Sequence, residues 1–569
     1  MEEMVTTPSQ TATAPAPSRT AAATRSPVLR LAERQSGVPA RFIVPILAAA
    51  ASLIVAVIGM YWDIGYHVDH GRDEGVLTVP HLLIVGGLNG LVAAAVLHGL
   101  MRGPRARGER SVLGLSLAPG AVLVLLCGSI ALLGFPLDAG WHALFGEDVT
   151  LWGPTHLFMI GGASFATLGL WMLLRHGSEL GDPTRRARLG QYRNAGGLLI
   201  GLSTFQAEFD FGVPQFQLLY QPVLIAFAAG LGLVCARSLL GRGGAVKVLG
   251  IFFVVRGALA IVVGPVAGFT TPHFPLYVVE ALAVEAAALA APRSRARFAV
   301  LAGAGVGTLG LAAEWAWSHV WMPHPWTASL LPEAAILSLL AAIGGAVLGA
   351  RVAQALADPG SEPAPRLRPL AVGLAGAAVL VALAVPLPRS GGDGTTLAIA
   401  PTPAGPGQVD VRVTVDPPSS ARGAEWFEVL SWQGRSEPRR IARFREVGPG
   451  RFEADRPVPV GGNWKSLVRI ARGSHLMALP VFLPREPLTG KPGAPAVARA
   501  GAMTSDTEQL QRESRGGPAW LTTLAYSLLA GIVAAWIAAA CWSLRLLEAP
   551  PSTRRRHGRT RPPRTVAAT

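Results

Sequence analysis

The chain has 569 residues, 50% of them hydrophobic and 15% charged, and a mean hydropathy of +0.40, which is too apolar for a soluble protein of this length. Its formal net charge is +15, but the 50 Lys and Arg residues lie between hydrophobic runs and form no groove-binding face, so we exclude nucleic acid as a partner. The three cysteines lie in or beside apolar runs, and they provide neither a disulfide framework nor a cysteine metal site.

The sequence begins with a tail, 1–41, that is rich in Ala, Thr, Pro and Ser and is predicted to be disordered. About twelve apolar runs that are long enough to cross a bilayer follow it. About eleven of them are expected to form a helical bundle over 42–387. The last run precedes a basic cytoplasmic tail, 544–569. The predicted spans are 42–62, 81–101, 113–135, 155–174, 194–211, 215–236, 248–268, 275–291, 298–319, 328–350, 369–387 and 519–543.

The arginines between these runs predict the orientation of the helices, because Lys and Arg resist translocation across the membrane. Arginines cluster after the second, fourth and eighth runs and in the C-terminal tail, whereas the short loops on the opposite side hold a single basic residue, Arg72. We therefore expect a multi-pass protein of the inner, or plasma, membrane with both termini in the cytoplasm.

A polar insert separates the last two runs, and within it Val409, Val411, Val413 and Val415 alternate with polar residues. A period of two is typical of a half-buried strand. Further strand-like stretches, separated by Gly and Pro, predict an extracytoplasmic β-sandwich over 393–486. The Gly-, Pro- and Ala-rich segment 487–518 is predicted to be a linker.

The most informative feature is a repeated pattern, Asp-x3-His-x3-Gly-x-Asp-x7-His-x4-Gly-Gly, which occurs within 62–87 and again within 137–162. Both copies fall on predicted helix–loop–helix hairpins with their polar residues at the outer mouth, so duplication of a hairpin is the simplest account. The matched residues are Asp63, His67, Gly71, Asp73, His81, Gly86 and Gly87 in the first copy and Asp138, His142, Gly146, Asp148, His156, Gly161 and Gly162 in the second.

This pattern predicts two metal sites, because Asp and His four residues apart share a helical face and a His at the start of the return helix can converge on them. Imidazole and carboxylate ligands suit copper, zinc or iron. The alternative is a pair of hydrogen-bonded helix caps, but polar groups at bilayer depth are costly unless they have a function. The predicted ligands are Asp63, His67 and His81 in one site and Asp138, His142 and His156 in the other, with Asp73, Asp148, His319 and Glu333 as secondary candidates.

The spacing of Asp63, His67 and His81 resembles the Asp-x3-His-x12-His motif of a copper-binding membrane subunit in the particulate methane and ammonia monooxygenases. In that family the three residues bind copper at the outer side of transmembrane helices, so the resemblance implies copper ligands here and at the repeated positions. The resemblance covers the motif alone. This chain departs from the family in that its histidines are one residue further apart, its motif is doubled and its predicted helices are about twice as many.

Several ionisable residues fall inside predicted spans, where each requires a partner. Arg256 and Glu285 lie at comparable depth on consecutive predicted helices, so we predict an ion pair between them. Glu280, Glu314 and Glu333 are instead candidates for a proton or cation path toward the outer histidines.

The sequence thus predicts an all-α polytopic membrane protein with duplicated helical hairpins and a β-sandwich insert. Its predicted function is copper binding at outward-facing Asp/His sites. Copper-dependent, monooxygenase-like activity is the enzymatic form of this prediction. The alternatives are a metal-cation transporter or copper-handling permease, and a structural membrane scaffold without metal. The lipid bilayer and partner membrane proteins are the expected neighbours.

Overall fold

A computed structural model of the chain describes residues 26–71, 75, 77–146, 151–213, 218–357, 394–434, 438–472, 475–515 and 517–548. In chain order its helices are α1 (Pro27–Ser36), α2 (Ala40–His70), α3 (Val79–Leu100), α4 (Pro119–Phe145), α5 (Pro154–Glu179), α6 (Arg185–Ser203), α7 (Ala207–Asp210), α8 (Tyr220–Leu240), α9 (Gly244–Ile261), α10 (Val278–Ala290), α11 (Arg295–Gly305), α12 (Leu311–Trp321), α13 (Leu331–Ala357), α14 (Pro418–Arg422), α15 (Asp506–Leu510) and α16 (Ala519–Glu548). A π-helical turn, Val262–Val266, extends α9, and another, Val306–Gly310, joins α11 to α12.

Nine helical stretches in the described part of the chain are long and apolar enough to cross a membrane. They are Ala40–His70, Val79–Leu100, Pro119–Phe145, Pro154–Glu179, Tyr220–Leu240, Gly244–Val266, Arg295–Trp321, Ala328–Ala357 and Ala519–Ala538. Each coincides with a predicted span.

The remaining predicted spans differ from the structure. The run 275–291 forms α10, which has 13 residues. At 1.5 Å per residue this helix is about 20 Å long, short of the roughly 30 Å of a bilayer core. The run 194–211 is the second half of the arginine-rich α6 followed by short turns. The run 369–387 lies outside the described residues. The predicted N-terminal tail is helical over α1, which has Pro27 at its first position.

The two repeated segments form equivalent hairpins, in which α2 packs along α3 and α4 packs along α5. The final glycine of each repeat explains the close approach of these helices. A Cβ on Gly87 would lie 2.5 Å from the Ser52 carbonyl oxygen, and a Cβ on Gly162 would lie 2.5 Å from the Cys127 carbonyl oxygen. Because Ser52 and Cys127 are also 75 residues apart, the two hairpins share the same helix contact.

The described part of the insert, which we call the β domain, forms an antiparallel sheet of ten strands with one larger and one smaller apolar cluster. A separate hairpin pairs β1 (Arg110–Val112) with β2 (Leu115–Leu117). The strands of the large sheet are β3 (Thr396–Gly405), β4 (Gln408–Asp416), β5 (Trp426–Trp432), β6 (Arg440–Gly448), β7 (Arg451–Ala454), β8 (Val458–Pro459), β9 (Lys465–Arg472), β10 (His475–Phe482), β11 (Arg499–Ala502) and β12 (Thr504–Ser505). Their order in the sheet is β11-β3-β4-β7-β6-β5-β9-β10-β12, with β8 paired to β4.

The predicted linker 487–518 is part of this sheet. β11 pairs with β3, and β12 pairs with β10, so this segment supplies both edges of the sheet. These strands have four and two residues, and such short edge strands show no period of two in the sequence.

The predicted ion pair between Arg256 and Glu285 is wrong. The guanidinium of Arg256 instead pairs with Asp210, and both side chains are fully buried. Glu285 pairs with Arg237 at 2.7 Å and accepts hydrogen bonds from the backbone N–H groups of Gly243 and Ala245 at the start of α9. A helix N-terminus stabilises a carboxylate, so Glu285 stays at the start of α9. Arg256 lies about 18 Å further along the same helix, out of reach of Glu285.

The β domain docks on the helical bundle through a buried contact between His324, in the loop after α12, and Glu428 of β5. Burial lowers the pKa of His324 below its ordinary value of 6.5, and Glu428 opposes this shift. The unfolded chain therefore binds this proton more readily than the folded chain does. The contribution of His324 to stability is complete above the unfolded pKa and is lost as the pH falls below it.

We expect the melting temperature in detergent to fall between about pH 7.5 and about pH 5.5, and His324→Gln should reduce this fall, because glutamine does not titrate. His319→Gln is the matched control, since His319 is an exposed histidine five residues away. An equal fall in wild type and His324→Gln would show that His324 does not couple stability to pH.

Candidate metal centres

The first predicted ligand set converges at the open end of the first hairpin. Asp63 and His67 lie one turn apart near the end of α2, and His81 is the third residue of α3. The Nε2 atom of His67 lies 3.6 Å from Asp63 Oδ1, and that of His81 lies 3.3 Å from the same oxygen. The ligand atoms of all three residues lie within 4.8 Å of one another.

The second ligand set repeats this arrangement at the open end of the second hairpin. Asp138 and His142 lie near the end of α4, and His156 is the third residue of α5. The Nε2 atom of His142 lies 3.2 Å from Asp138 Oδ2, and that of His156 lies 3.3 Å from Asp138 Oδ1. We call the two sets the first and second triads. In the described residues no other group of three His, Cys, Asp or Glu side chains meets the same distance criterion.

A glycine in the left-handed region orients one histidine of each triad. Gly71 and Gly146 follow α2 and α4 with φ of 81° and 77°. This turn directs the Gly71 carbonyl oxygen to His67 Nδ1 at 2.9 Å and the Gly146 carbonyl oxygen to His142 Nδ1 at 3.2 Å. An Nδ1–H that donates to a carbonyl leaves Nε2 of the neutral ring with a lone pair, which is the arrangement that metal-binding histidines adopt.

The spacing of the ligand atoms is compatible with a metal ion between them. Charge-assisted N–H···O bonds are about 2.7–2.9 Å long, whereas the four Nε2 to carboxylate distances are 3.2–3.6 Å. Ligands about 2.1 Å from a tetrahedral ion are separated by roughly 3.4 Å. Asp63 Oδ1 is also buried and accepts no well-formed hydrogen bond in the structure. Two imidazole Nε2 atoms and a carboxylate therefore meet at one point, where a cation would find three ligand atoms.

The triads differ at one position. Thr155 precedes His156, and its hydroxyl donates to Asp138 Oδ1 at 2.5 Å. The equivalent residue before His81 is Pro80, which has no side-chain donor. The carboxylate of the second triad therefore has an orienting hydrogen bond that the first triad lacks.

Both triads face one cavity of about 660 Å³. Helices α2, α5 and α6 form much of its wall, and residues of the β domain, among them Gln433, Arg439 and Glu513, also line it. The two sites therefore share one chamber, a relation that the repeat alone did not predict.

Among the described residues the secondary candidates add no third site. Asp73 and Asp148 lie outside the described residues. His319 and Glu333 are both exposed, and His319 Nδ1 contacts the Trp315 carbonyl oxygen at 2.8 Å. The hairpin of α12 and α13 thus preserves the spacing of the repeat without converging ligands.

The carboxylates expected to form a cation path lie elsewhere. Glu280 and Glu314 are buried together, and Glu314 Oε1 accepts a hydrogen bond of 2.9 Å from the backbone N–H of Tyr277. Neither residue lines the cavity of the triads. Sequence reasoning missed Thr155, whose only signal was a polar residue at the first turn of a predicted span.

Comparison with known proteins gives no family assignment, because no protein-family model, no curated protein and no solved structure matches this chain.

Proposed function

We propose that this chain is a membrane metalloprotein that binds one transition-metal ion at each triad. The observation that carries this proposal is the repeated convergence of imidazole Nε2 atoms on a carboxylate, with one histidine of each triad held through Nδ1 by a glycine carbonyl. Helix caps would require only single hydrogen bonds, not two imidazoles that meet at one carboxylate.

Copper is the proposed metal, with zinc and iron as alternatives. Two imidazoles and a carboxylate suit all three ions, and the resemblance of the motif to that of the particulate monooxygenases supports copper. A three-residue ligand set leaves coordination positions open, so a bound copper would supply redox chemistry and a site for an external ligand. Monooxygenase-like activity is the enzymatic form of this proposal.

The proposed location is the inner, or plasma, membrane, with both termini in the cytoplasm and the triads and β domain on the outer side. Nine apolar helices among the described residues support the membrane location. The orientation rests on the arginine clusters, which lie at the starts of α6 and α11 and after α3.

Metal content tests the proposal directly. Protein purified without chelator and reconstituted with copper, zinc or iron should hold two ions per chain by elemental analysis. His67→Ala and His142→Ala should each remove one ion, and the double variant should hold none. Loss of a direct ligand should weaken binding beyond the about 10–100-fold typical of residues that only orient ligands.

His319→Ala is the matched control, because His319 is also a helix-end histidine whose Nδ1 contacts a backbone carbonyl, yet it has no converging carboxylate among the described residues. Its stoichiometry should equal that of wild type. Wild-type protein that holds no stoichiometric metal after reconstitution would leave the triads as helix caps and favour the structural scaffold.

A permease is the second candidate, because the cavity extends from the triads into the bundle. Metal uptake into vesicles separates the two functions. We favour the metalloprotein, since the buried Glu280 and Glu314, the candidates for a cation path, do not line this cavity.

A further inference from the structure

The cavity that holds the triads is elongated. It follows α5 from His156 to Leu170, and it follows the chain back from Glu208 in α7 to Arg193 in α6. Fourteen helical residues at 1.5 Å each correspond to roughly 21 Å. The triads therefore occupy one end of a long chamber whose other end lies deep in the bundle.

The middle of this chamber is apolar. Its wall includes Leu53 and Val57 of α2, Ile84 of α3, Ile160 of α5 and Ile200 of α6. A volume of about 660 Å³ lies within the range of small-molecule sites, which is roughly 300–1,000 Å³. The shape and lining fit an aliphatic chain better than a compact polar ligand.

The deep end of the chamber is polar and carries donors without acceptors. Arg193 has no acidic partner among the described residues, and its Nε is buried without a hydrogen bond. Asn194 is 4% exposed, and its Nδ2 is likewise buried without an acceptor. The nearby hydroxyls of Ser164 and Thr167 donate to backbone carbonyl oxygens.

Arg193 is half-buried, and a charged group at this depth without a counter-charge is costly, so it indicates an absent partner. Arg193 and Asn194 are adjacent, and both line the cavity. A guanidinium binds a carboxylate through two parallel hydrogen bonds, and the amide of Asn194 adds a third donor. The ligand that complements both the polar end and the apolar wall of the chamber is a carboxylate attached to a long aliphatic chain.

We propose that this chamber binds a long-chain fatty carboxylate, with its head group on Arg193 and Asn194 and its chain directed along α5 and α6 toward the triads. The assignment uses none of the triad residues as ligands for the carboxylate. It therefore goes beyond the proposed metal function and stands whether or not metal binds.

The test is equilibrium binding of tritium-labelled hexadecanoate to delipidated, detergent-solubilised protein. Wild type should bind about one molecule per chain, and Arg193→Gln should bind about ten- to a hundred-fold more weakly, as expected for loss of a hydrogen-bonded charge. Arg188→Gln is the matched control, since Arg188 is an exposed arginine on the same helix that does not line the cavity. Hexadecanol, which has the chain without the charge, should compete poorly.

Gly197→Leu provides a second variant, because a Cβ at Gly197 meets the Thr167 side chain at an ordinary 3.5 Å while the added side chain fills the chamber. It should abolish hexadecanoate binding and leave metal stoichiometry unchanged, which separates this proposal from the metal proposal. Equal binding by wild type and Arg193→Gln, or equal competition by hexadecanol and hexadecanoate, would overturn the assignment.

Discussion

Replacing Arg256 by leucine is expected to reduce the yield of folded protein sharply. Arg256 is 1% exposed, and its guanidinium pairs with Asp210, which is 0% exposed and also accepts a 2.8 Å hydrogen bond from the Tyr61 hydroxyl. The guanidinium further lies 4.2 Å from the centre of the Tyr61 ring. Its removal leaves a buried carboxylate without a counter-charge, which typically costs about 3–5 kcal/mol.

The double variant Arg256→Leu with Asp210→Leu should recover much of the folded yield, measured by size-exclusion chromatography in detergent. Combining Arg256→Leu with Glu285→Leu should not recover the folded yield, because Glu285 pairs with Arg237. Arg237→Leu alone is a matched control and should cost less, since that ion pair is partly exposed. If the losses of folded yield caused by Arg256→Leu and by Asp210→Leu simply add in the double variant, the two residues do not pair.

Gly146→Ala is expected to disrupt the second triad and the docking of the β domain together. Gly146 has φ 77° and ψ −175°, a conformation that is essentially restricted to glycine and costs about 1–3 kcal/mol for other residues. A Cβ there would also overlap the carbonyl oxygen of Glu513, in a segment that pairs with the end of α4. Relief of this overlap is expected to shift the Gly146 carbonyl relative to His142 and the Glu513 segment relative to α4.

The measurements are metal stoichiometry and melting temperature, and both should fall. Gly140→Ala is the matched control, because a Cβ at this helical position of α4 meets no atom within 4 Å. Gly71→Ala should be milder than Gly146→Ala, since the atoms nearest to its Cβ belong to the flexible side chain of Gln433 and not to the backbone. A Gly146→Ala protein with two ions and an unchanged melting temperature would refute the role of this glycine.

The sequence by itself determined the parts of this protein that depend on local periodicity and on the repeat. Nine apolar runs became long helices in the described part of the chain, and the alternating valines of 409–415 became β4. The Asp-x3-His spacing places both ligands on one helical face, and His81 and His156 begin the return helices, so each triad is local to one hairpin. Gly71 and Gly146 were likewise predictable as loop glycines, because left-handed backbone favours glycine.

Only the tertiary structure decided which distant groups meet. Depth along the helices suggested Glu285 for Arg256, but helix rotation and the short connection before α9 assign Asp210 instead. The shared cavity and its unpaired Arg193 likewise depend on how α2, α5 and α6 pack. The edge strands β11 and β12 are too short for a periodic signal. The physical reason is that periodicity records which face of an element is buried, whereas the partner of a side chain depends on packing between elements far apart in the chain.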